Sequence, residues 1–361
     1  MREGVEMPSA LLTPKLLALA VTLGEPMEDK DFGAGAYARA YLAGGVFSRC
    51  RFDEADLRGA DLRETLFDQC SFKGALMDGA SLRRAVLNRC TLDHAALRSA
   101  DLHGAVLTDC ALPHAQLTQA VLSMATVSNC DFAHAALIGA DLESSTFTRS
   151  NLVDVNADDS RWVHTSMLAC GLAQMTWARA RMQRVVFHEV DLQGKSFAGL
   201  SLDGCQFANC NLGGASFRNA PMRQCNFQGA RLDRVDFSGA QGPMAVFCDA
   251  RGEAVNFAGA GLRQALFTRS MLPGARFDGA DLHQCHFADA KLAAASLRDC
   301  DLSYADFSRA DLQKVDGRGA TLLRTVLHRA DTEDALWTDR PRALETDAAL
   351  ARAELWRGPA P

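Results

Sequence analysis

The sequence predicts an all-β solenoid, a tube of short coils with a square cross-section and a short helix at each end. Three observations carry this expectation. Large apolar residues recur every five positions, small residues recur with the same period two places earlier, and several residue types recur every twenty. A period of five suits neither an amphipathic helix nor a flat strand. It suits a short extended segment, in which two side chains two apart point inward, followed by a turn.

The large phase runs from Phe32 to Trp337 through 62 positions without an insertion or deletion. Of these, 57 are Leu, Phe, Met, Trp, Tyr or Val, and all 19 Phe of the chain fall among them. The exceptions are Ala157, Gly242, Gly252, Gly317 and Thr332. The small phase, Lys30 to Ala335, holds 32 Ala and 11 Cys. Coil length follows from the slower period. Cys50, Cys70, Cys90, Cys110 and Cys130 are twenty apart, as are His94, His114 and His134, so four five-residue sides make one coil. Residues 31–338 then give about 15 coils, ~70–75 Å at ~4.8 Å per coil. From Phe187 to Phe287 every tenth residue is Phe, with Leu192, Leu202, Leu212 and Leu232 between. Rings and aliphatics alternating in layers fill the tube and leave no pore.

The local text, as in Ala55-Asp56-Leu57-Arg58-Gly59 and Ala310-Asp311-Leu312-Gln313-Lys314, resembles the pentapeptide-repeat proteins over about 85% of the chain. The resemblance implies a right-handed quadrilateral β-helix. It implies no single function, because one fold hosts many.

The expected organisation is an N-terminal capping-helix region over 1–30, the β-helix over 31–338, and a C-terminal capping helix and tail over 339–361. Thr13 caps the first helix, Pro14 takes its first position, and the helix runs through Val21 towards Gly24. At the other end, Thr338 or Asp339 starts a helix over Ala343 to Arg357, stopped by Gly358 and Pro359. Leu344, Leu350, Leu355 and Trp356 lie on the last coil. Such caps hide the open strand edges of a solenoid.

Composition excludes some classes. With 44 acidic and 38 basic residues, the net charge of −6 argues against a broad basic nucleic-acid surface. No apolar run reaches the length of a membrane span. Leu11 to Leu23 is interrupted by Pro14 and Lys15 and preceded by Glu3 and Glu6, a poor signal peptide. Of 12 Cys, only Cys248 leaves the small inward phase, and no CxxC pair occurs. The thiols therefore read as reduced, structural residues of a cytoplasmic protein.

Three places break the rule. Between Val155 and Leu200 the small phase carries Val155, Met175, Val185, Val190, Lys195 and Leu200, while the large phase carries Ala157, Trp162 and Trp177. A charged Lys195 cannot sit inside the tube alone, so a bulge or a widened coil is expected there, or a docking site for a partner. Gly242 and Gly252 fall on opposite sides of the square, where the core should thin or the chain bulge. Gly317 reads as a taper.

Chemistry is sparse. His94, His114 and His134, with Asp154 next in the column, point the same way instead of converging, which makes a solvated corner column rather than a metal centre. Asp154, Asp158 and Asp159 read as a solvated acidic cluster. Gly59, Gly79, Gly239, Gly259 and Gly279 share a turn phase and form no phosphate or dinucleotide motif. No catalytic constellation, metal or cofactor is expected. The function expected is a non-enzymatic protein–protein interaction scaffold or adaptor. Its docking residues are the outward stripe Val46, Leu66, Val86 and Val106, the irregular Trp162, Trp177 and Lys195, and Leu355 with Trp356 at the C-terminal end. The likeness to stand-alone members encoded beside bacterial type VI secretion systems implies an accessory role there, with spike or effector proteins as partners. Other members imply the alternative, a DNA mimic that inhibits or protects gyrase, against which stand 32 Arg and a weak acidic excess. No membrane and no direct nucleic acid are expected, and the chain is a monomer or an end-to-end homodimer.

Overall fold

The structure is a computed structural model that describes residues 13–356. Glu3, Glu6, Leu11, Arg357, Gly358 and Pro359 lie outside the described residues. The described residues make a β-solenoid of about 16 turns with two short helices. Each five-residue side repeats one set of hydrogen bonds. On the side centred on Leu57, the Asp56 amide donates to the Gly35 carbonyl of the coil before (2.8 Å) and the Leu57 amide to Leu76 of the coil after (2.7 Å). The Gly59 amide donates to Asp78 (3.0 Å), and the Ala60 amide closes the turn on Leu57 (3.0 Å). The fifth amide, Arg58, donates to the Asp56 carboxylate (3.2 Å). That is why Asp or Asn precedes the large residue so often, since its side chain replaces an acceptor the backbone does not supply.

Every fifth residue from Gly24 to Asp334 turns the corner in the left-handed region, with φ between 48° and 79°. Glycines occupy 17 of these corners and other residues 46. A residue with a Cβ is strained there by ~1–2 kcal/mol, so the rung bonds on both sides hold the corner against its preference. The glycine turn phase read from the sequence is present, but most corners do without glycine.

The chain divides into two compact units, 1–181 and 182–361. In the first, α1 (Pro14–Thr22) starts at Thr13, whose hydroxyl accepts from the Leu16 amide, and it buries Leu17 and Val21. Strands β1 (Met27–Glu28), β2 (Val46–Ser48), β3 (Leu66–Asp68), β4 (Val86–Asn88), β5 (Val106–Thr108), β6 (Thr126–Ser128), β7 (Thr146–Thr148) and β9 (Ser166–Leu168) form one parallel sheet along one side. β8 (Arg161–Val163) lies on another side. Pairing is in strict twenty-residue register, as in Val46 on Leu66 and Leu66 on Val86. Inside, Phe32, Phe52 and Phe72 stack at 4.8 and 5.1 Å, and the Phe47–Phe67 stack meets them edge to face.

The second unit contains β11 (Val186–His188), following β10 (Arg181–Gln183) at its start. A long run of coils joined by single parallel bridges comes next, then the pair β12 (Asp316–Gly317) and β13 (Leu336–Trp337). Its Phe residues form two columns. Rings stack at 4.6–5.2 Å along a column and meet edge to face at 5.3–6.2 Å across the core. This is the layered filling the ten-residue Phe period predicts, with the two favoured ring geometries combined.

Four expectations need correction. The stretch after Val155 has no bulge: left-handed corners continue unbroken at Asp154 to Arg179 in the first unit and Arg184 to Gly204 in the second. Lys195 keeps the ordinary turn, its amide donating to Leu192 (3.1 Å) and its carbonyl accepting from Ser216 (2.9 Å). Gly242 does not thin the core, because Met222 and Leu262 close over it; an added Cβ would lie 2.6 Å from the Met222 methyl. At Gly252 the Leu232 backbone itself comes close, 2.6 Å from the same imaginary atom, and the turn opens into a bend. Gly317 is no taper. It clears space for the Trp337 ring of the next coil, which a Cβ would strike.

The C-terminal segment also departs from expectation. Arg340–Arg342 forms a 3₁₀ turn, and Leu344 returns to the solenoid, donating to Thr325 (2.7 Å) and accepting from Leu327 (2.8 Å). Only then does α2 (Ala348–Leu355) begin, capped by Asp347. Leu344, Leu350 and Trp356 are exposed rather than laid on the last coil. α2 is held instead through Glu354, which meets Arg329 (2.8 Å), the buried His328 (3.3 Å) and Arg309 (3.5 Å).

Candidate docking surface

The predicted stripe lies where the sequence puts it, on the outer face of the parallel sheet of the first unit. Val46, Leu66 and Val86 are 40%, 38% and 37% exposed, and Val106 is half-buried. The residues beside them in each strand, Phe47, Phe67, Leu87 and Leu107, are fully buried. Alternation along three extended residues therefore fixes which side chain faces water. Register makes the four a continuous ridge, since Val46 sits on Leu66, Leu66 on Val86 and Val86 on Val106. The ridge continues through Thr126 and Thr146, which pair in the same register. Both threonines share the twenty-residue phase of Val106, the signal by which the sequence marks them.

Charged residues flank the ridge on both corners of this side. On one corner stand Gly44, Glu64, Arg84 and Gly104, with Arg84 and Glu64 3.8 Å apart and highly exposed. On the other stand Arg49, Gln69, Arg89 and Asp109. Arg49 makes two 2.8 Å bonds to Asp29, whose carboxyl is held below its usual range by them. Arg89 reaches Asp68 (2.8 Å), which also accepts from Asn88 (2.6 Å). Between corner and ridge, Ser48, Asp68, Asn88 and Thr108 present small polar groups. The side thus offers an apolar line with a polar rim, the composition of an interface core and its border.

The other predicted site residues are not brought to this surface. Trp162 and Trp177 are buried, so they are core residues and cannot present a ring to a partner. Trp162 lies in the coil where Ala157 replaces the usual large residue, and its indole donates to Ser160, which donates in turn to the Ala157 carbonyl. Small and large compensate within one coil. Lys195 is half-buried in the second unit. Trp356 is 73% exposed at the end of α2, while the side chain of Leu355 lies outside the described residues.

The histidine column is a stack. The His94, His114 and His134 rings lie 4.7 and 4.9 Å apart and nearly parallel, with Asp93 3.7 Å from His94 and Asp154 3.6 Å from His134. Among the described residues no three ligating side chains converge on a metal position. Asp158 accepts from the Ala178 amide (2.8 Å) and Asp159 pairs with Arg179, so the acidic cluster is engaged in the coil. Eleven cysteines are buried and Cys248 is half-buried, as their phase predicts. Among the described residues no helix is long and apolar enough to cross a membrane.

Two family models match the chain. One, "Pentapeptide repeat region", matches residues 45–122, 80–157 and 200–277, and the other, "Pentapeptide repeats (8 copies)", matches 281–316 and 295–331. No curated protein matches. Among solved structures, the chain is similar to a trypsin-treated variant of QnrB1, a plasmid-mediated fluoroquinolone resistance protein. The identity is 19% over 50% of this chain and 90% of that one, with a TM-score of 0.36. It is similar to HetL, a pentapeptide repeat protein involved in heterocyst differentiation regulation in Nostoc sp. strain PCC 7120, at 20% identity over 81% and 96%, with a TM-score of 0.24. A pentapeptide repeat protein of the Arabidopsis thaliana thylakoid lumen is 23% identical over 37% and 66%, with a TM-score of 0.22.

Proposed function

The chain belongs to the pentapeptide-repeat family, and from that premise we propose that it is a non-enzymatic protein–protein interaction scaffold that docks its partner along the Val46–Val106 ridge. The observation that carries the reading is the ridge itself. Four aliphatic side chains stand in unbroken register on a sheet whose outward positions are elsewhere mostly polar, with a polar rim on either side. Exposed apolar lines of this kind mark interaction sites more often than scattered surface residues do. A cytoplasmic location, supported by the buried thiols, is part of the same proposal. The finer proposal carried by the sequence likeness is an accessory role in type VI secretion, with spike or effector proteins as partners. Against the gyrase alternative stand the Arg–Asp pairs along the corners, such as Arg49 with Asp29, Arg179 with Asp159, Arg269 with Asp249 and Arg309 with Asp289, which offset acidic charge there.

The test is the pair Leu66→Asp with Val86→Asp. Both side chains face water, so the variant should keep its circular dichroism spectrum and lose little stability, while binding to a spike or effector protein falls by at least about tenfold. Unchanged binding sinks the ridge as the docking line for those partners. Inhibition of gyrase supercoiling by the wild-type chain at low-micromolar concentration would replace the scaffold reading with the alternative.

A further inference from the structure

We infer that the ridge is self-complementary and that its occupant is a second copy of this chain, bound face to face with its coils running in the opposite direction. This rests on the ridge being a docking line and names what docks there.

The argument is one of register. Place a two-fold axis parallel to the strands, in the plane between the two facing sheets, passing midway between the Leu66 and Val86 coils. Coil then meets coil in reverse order, so Val46 faces Val106 and Leu66 faces Val86, and the whole ridge is covered by itself. Such an axis keeps each corner column opposite the same column of the second copy. On the first corner Glu64 of one copy faces Arg84 of the other, twice by symmetry, and Gly44 faces Gly104, leaving the outer corners clear. On the second corner Arg49 faces Asp109, again twice, while Gln69 faces Arg89. Between corner and ridge, Asp68 faces Asn88, and Ser48 faces Thr108. All these residues are exposed or half-exposed in the described surface.

Neighbouring registers fail. Sliding one copy by one coil in one direction sets Arg84 on Arg84 and Arg89 on Arg89. Sliding it in the other sets Glu64 on Glu64, Arg49 on Arg89 and Asp29 on Asp109. Like charges directly opposed across an interface are repulsive, so both the ridge and its rim select one register. Side-by-side pairing differs from the end-to-end dimer expected from the sequence, and it uses no part of α2. Six coils of one side measure ~29 Å by ~10–15 Å. That is a few hundred Å² per copy, below the ~800 Å² per partner of a standard stable interface. The dimer is therefore weak and concentration-dependent.

Sedimentation velocity on the full chain over a concentration series tests this. Wild type should pass from monomer to dimer. Glu64→Arg and Arg84→Glu should each weaken dimerisation by about tenfold or more, because each sets like charges against each other at two symmetric places. The double variant Glu64→Arg with Arg84→Glu should restore it. The Glu64–Arg84 pair within one chain is exposed and worth little, so all three variants should melt near the wild-type temperature. A chain that stays monomeric at its highest soluble concentration overturns the inference, as does a dimer indifferent to the single reversals or one the double variant fails to restore. A dimer abolished by Leu350→Asp with Trp356→Asp, yet untouched by the charge reversals, assigns it to the C-terminal end instead. If the chain is monomeric but the Leu66→Asp, Val86→Asp variant still loses a different protein partner, the second copy is excluded and the docking reading stands.

Discussion

At the scale of single residues, Asp in the motif does the work of a backbone acceptor. Four of the five amides on a side find carbonyls, and the fifth is bonded by the carboxylate or amide two residues earlier, as His103 is by Asp101 (3.0 Å) and Ser238 by Asp236 (2.9 Å). Where that residue is not acidic, an Asp twenty residues earlier serves, as Asp53 does for Lys73 (3.0 Å) and Asp78 for Arg98 (2.8 Å). The recurrence of Asp was legible in the sequence, but its reason was not, because the unpaired amide appears only once the rung bonds are assigned. Asp236 also accepts from Asn256 (3.0 Å) in the next coil. Asp236→Ala should cost about 1–2 kcal/mol, the loss of two modest hydrogen bonds, and Asp236→Asn much less. Urea denaturation of the three proteins measures it, and an Ala variant as stable as wild type would mean that water replaces the carboxylate.

At the scale of the coil, what the sequence showed and what it hid have different causes. The side, the coil length and the two Phe columns were legible because each is a strict period. Gly317 reads as a taper in the sequence because its explanation lies twenty residues on, in Trp337, and only register brings the two together. Trp162 reads as a surface anchor only while Ala157, five residues earlier on the adjoining side, is taken as a second irregularity instead of its compensation. The ridge was visible as aliphatics in a polar phase. Its charged rim was not, since Glu64, Arg84, Arg49 and Asp109 look ordinary until the corners are drawn. Gly317 offers the clean test of coil-to-coil packing. Its φ is not left-handed, so only space excludes a side chain. Gly317→Leu should destabilise by about 1–3 kcal/mol through overpacking against the Trp337 ring. Combining it with Trp337→Leu should recover most of that, because Leu on Leu is how this column packs in the first unit, at Leu97, Leu117 and Leu137. Additive losses in the double variant, seen in thermal unfolding, would show that the two residues do not share the space.

At the scale of the whole molecule, two populations of titrating groups bound the pH range of stability from opposite sides. Carboxylates along the corners and sides are held down by guanidinium partners: Arg58 and Arg318 take Asp56 and Asp316 from the usual 3.8 to about 2. Asp31, Asp61, Asp159, Asp249 and Asp289 are lowered by Arg in the same way. A carboxyl whose folded value lies below its unfolded one contributes stability that is whole above about 4 and disappears as the pH falls towards 2. These pairs are exposed, so each counts for little and salt weakens them. Buried thiols act in the other direction. Burial pushes Cys205, Cys285 and Cys300 from 9.0 to about 12 and Cys210 to about 11. Their contribution is whole below 9 and is lost as the pH climbs through those values, up to about 4 kcal/mol for each of the first three and about 3 kcal/mol for Cys210 by pH 12. Stability should therefore be flat between about pH 4 and 9, fall gently in acid and fall steeply in alkali. Urea midpoints across that range measure the profile. Cys285→Ala with Cys300→Ala should flatten the alkaline limb and leave the acid limb unchanged, because Ala is the common occupant of that inward position and carries no proton. High salt should do the reverse, lowering the plateau and with it the acid drop. If the alkaline limb keeps its slope without those two thiols, burial is not what sets it, and the inward phase contributes packing without linkage to pH.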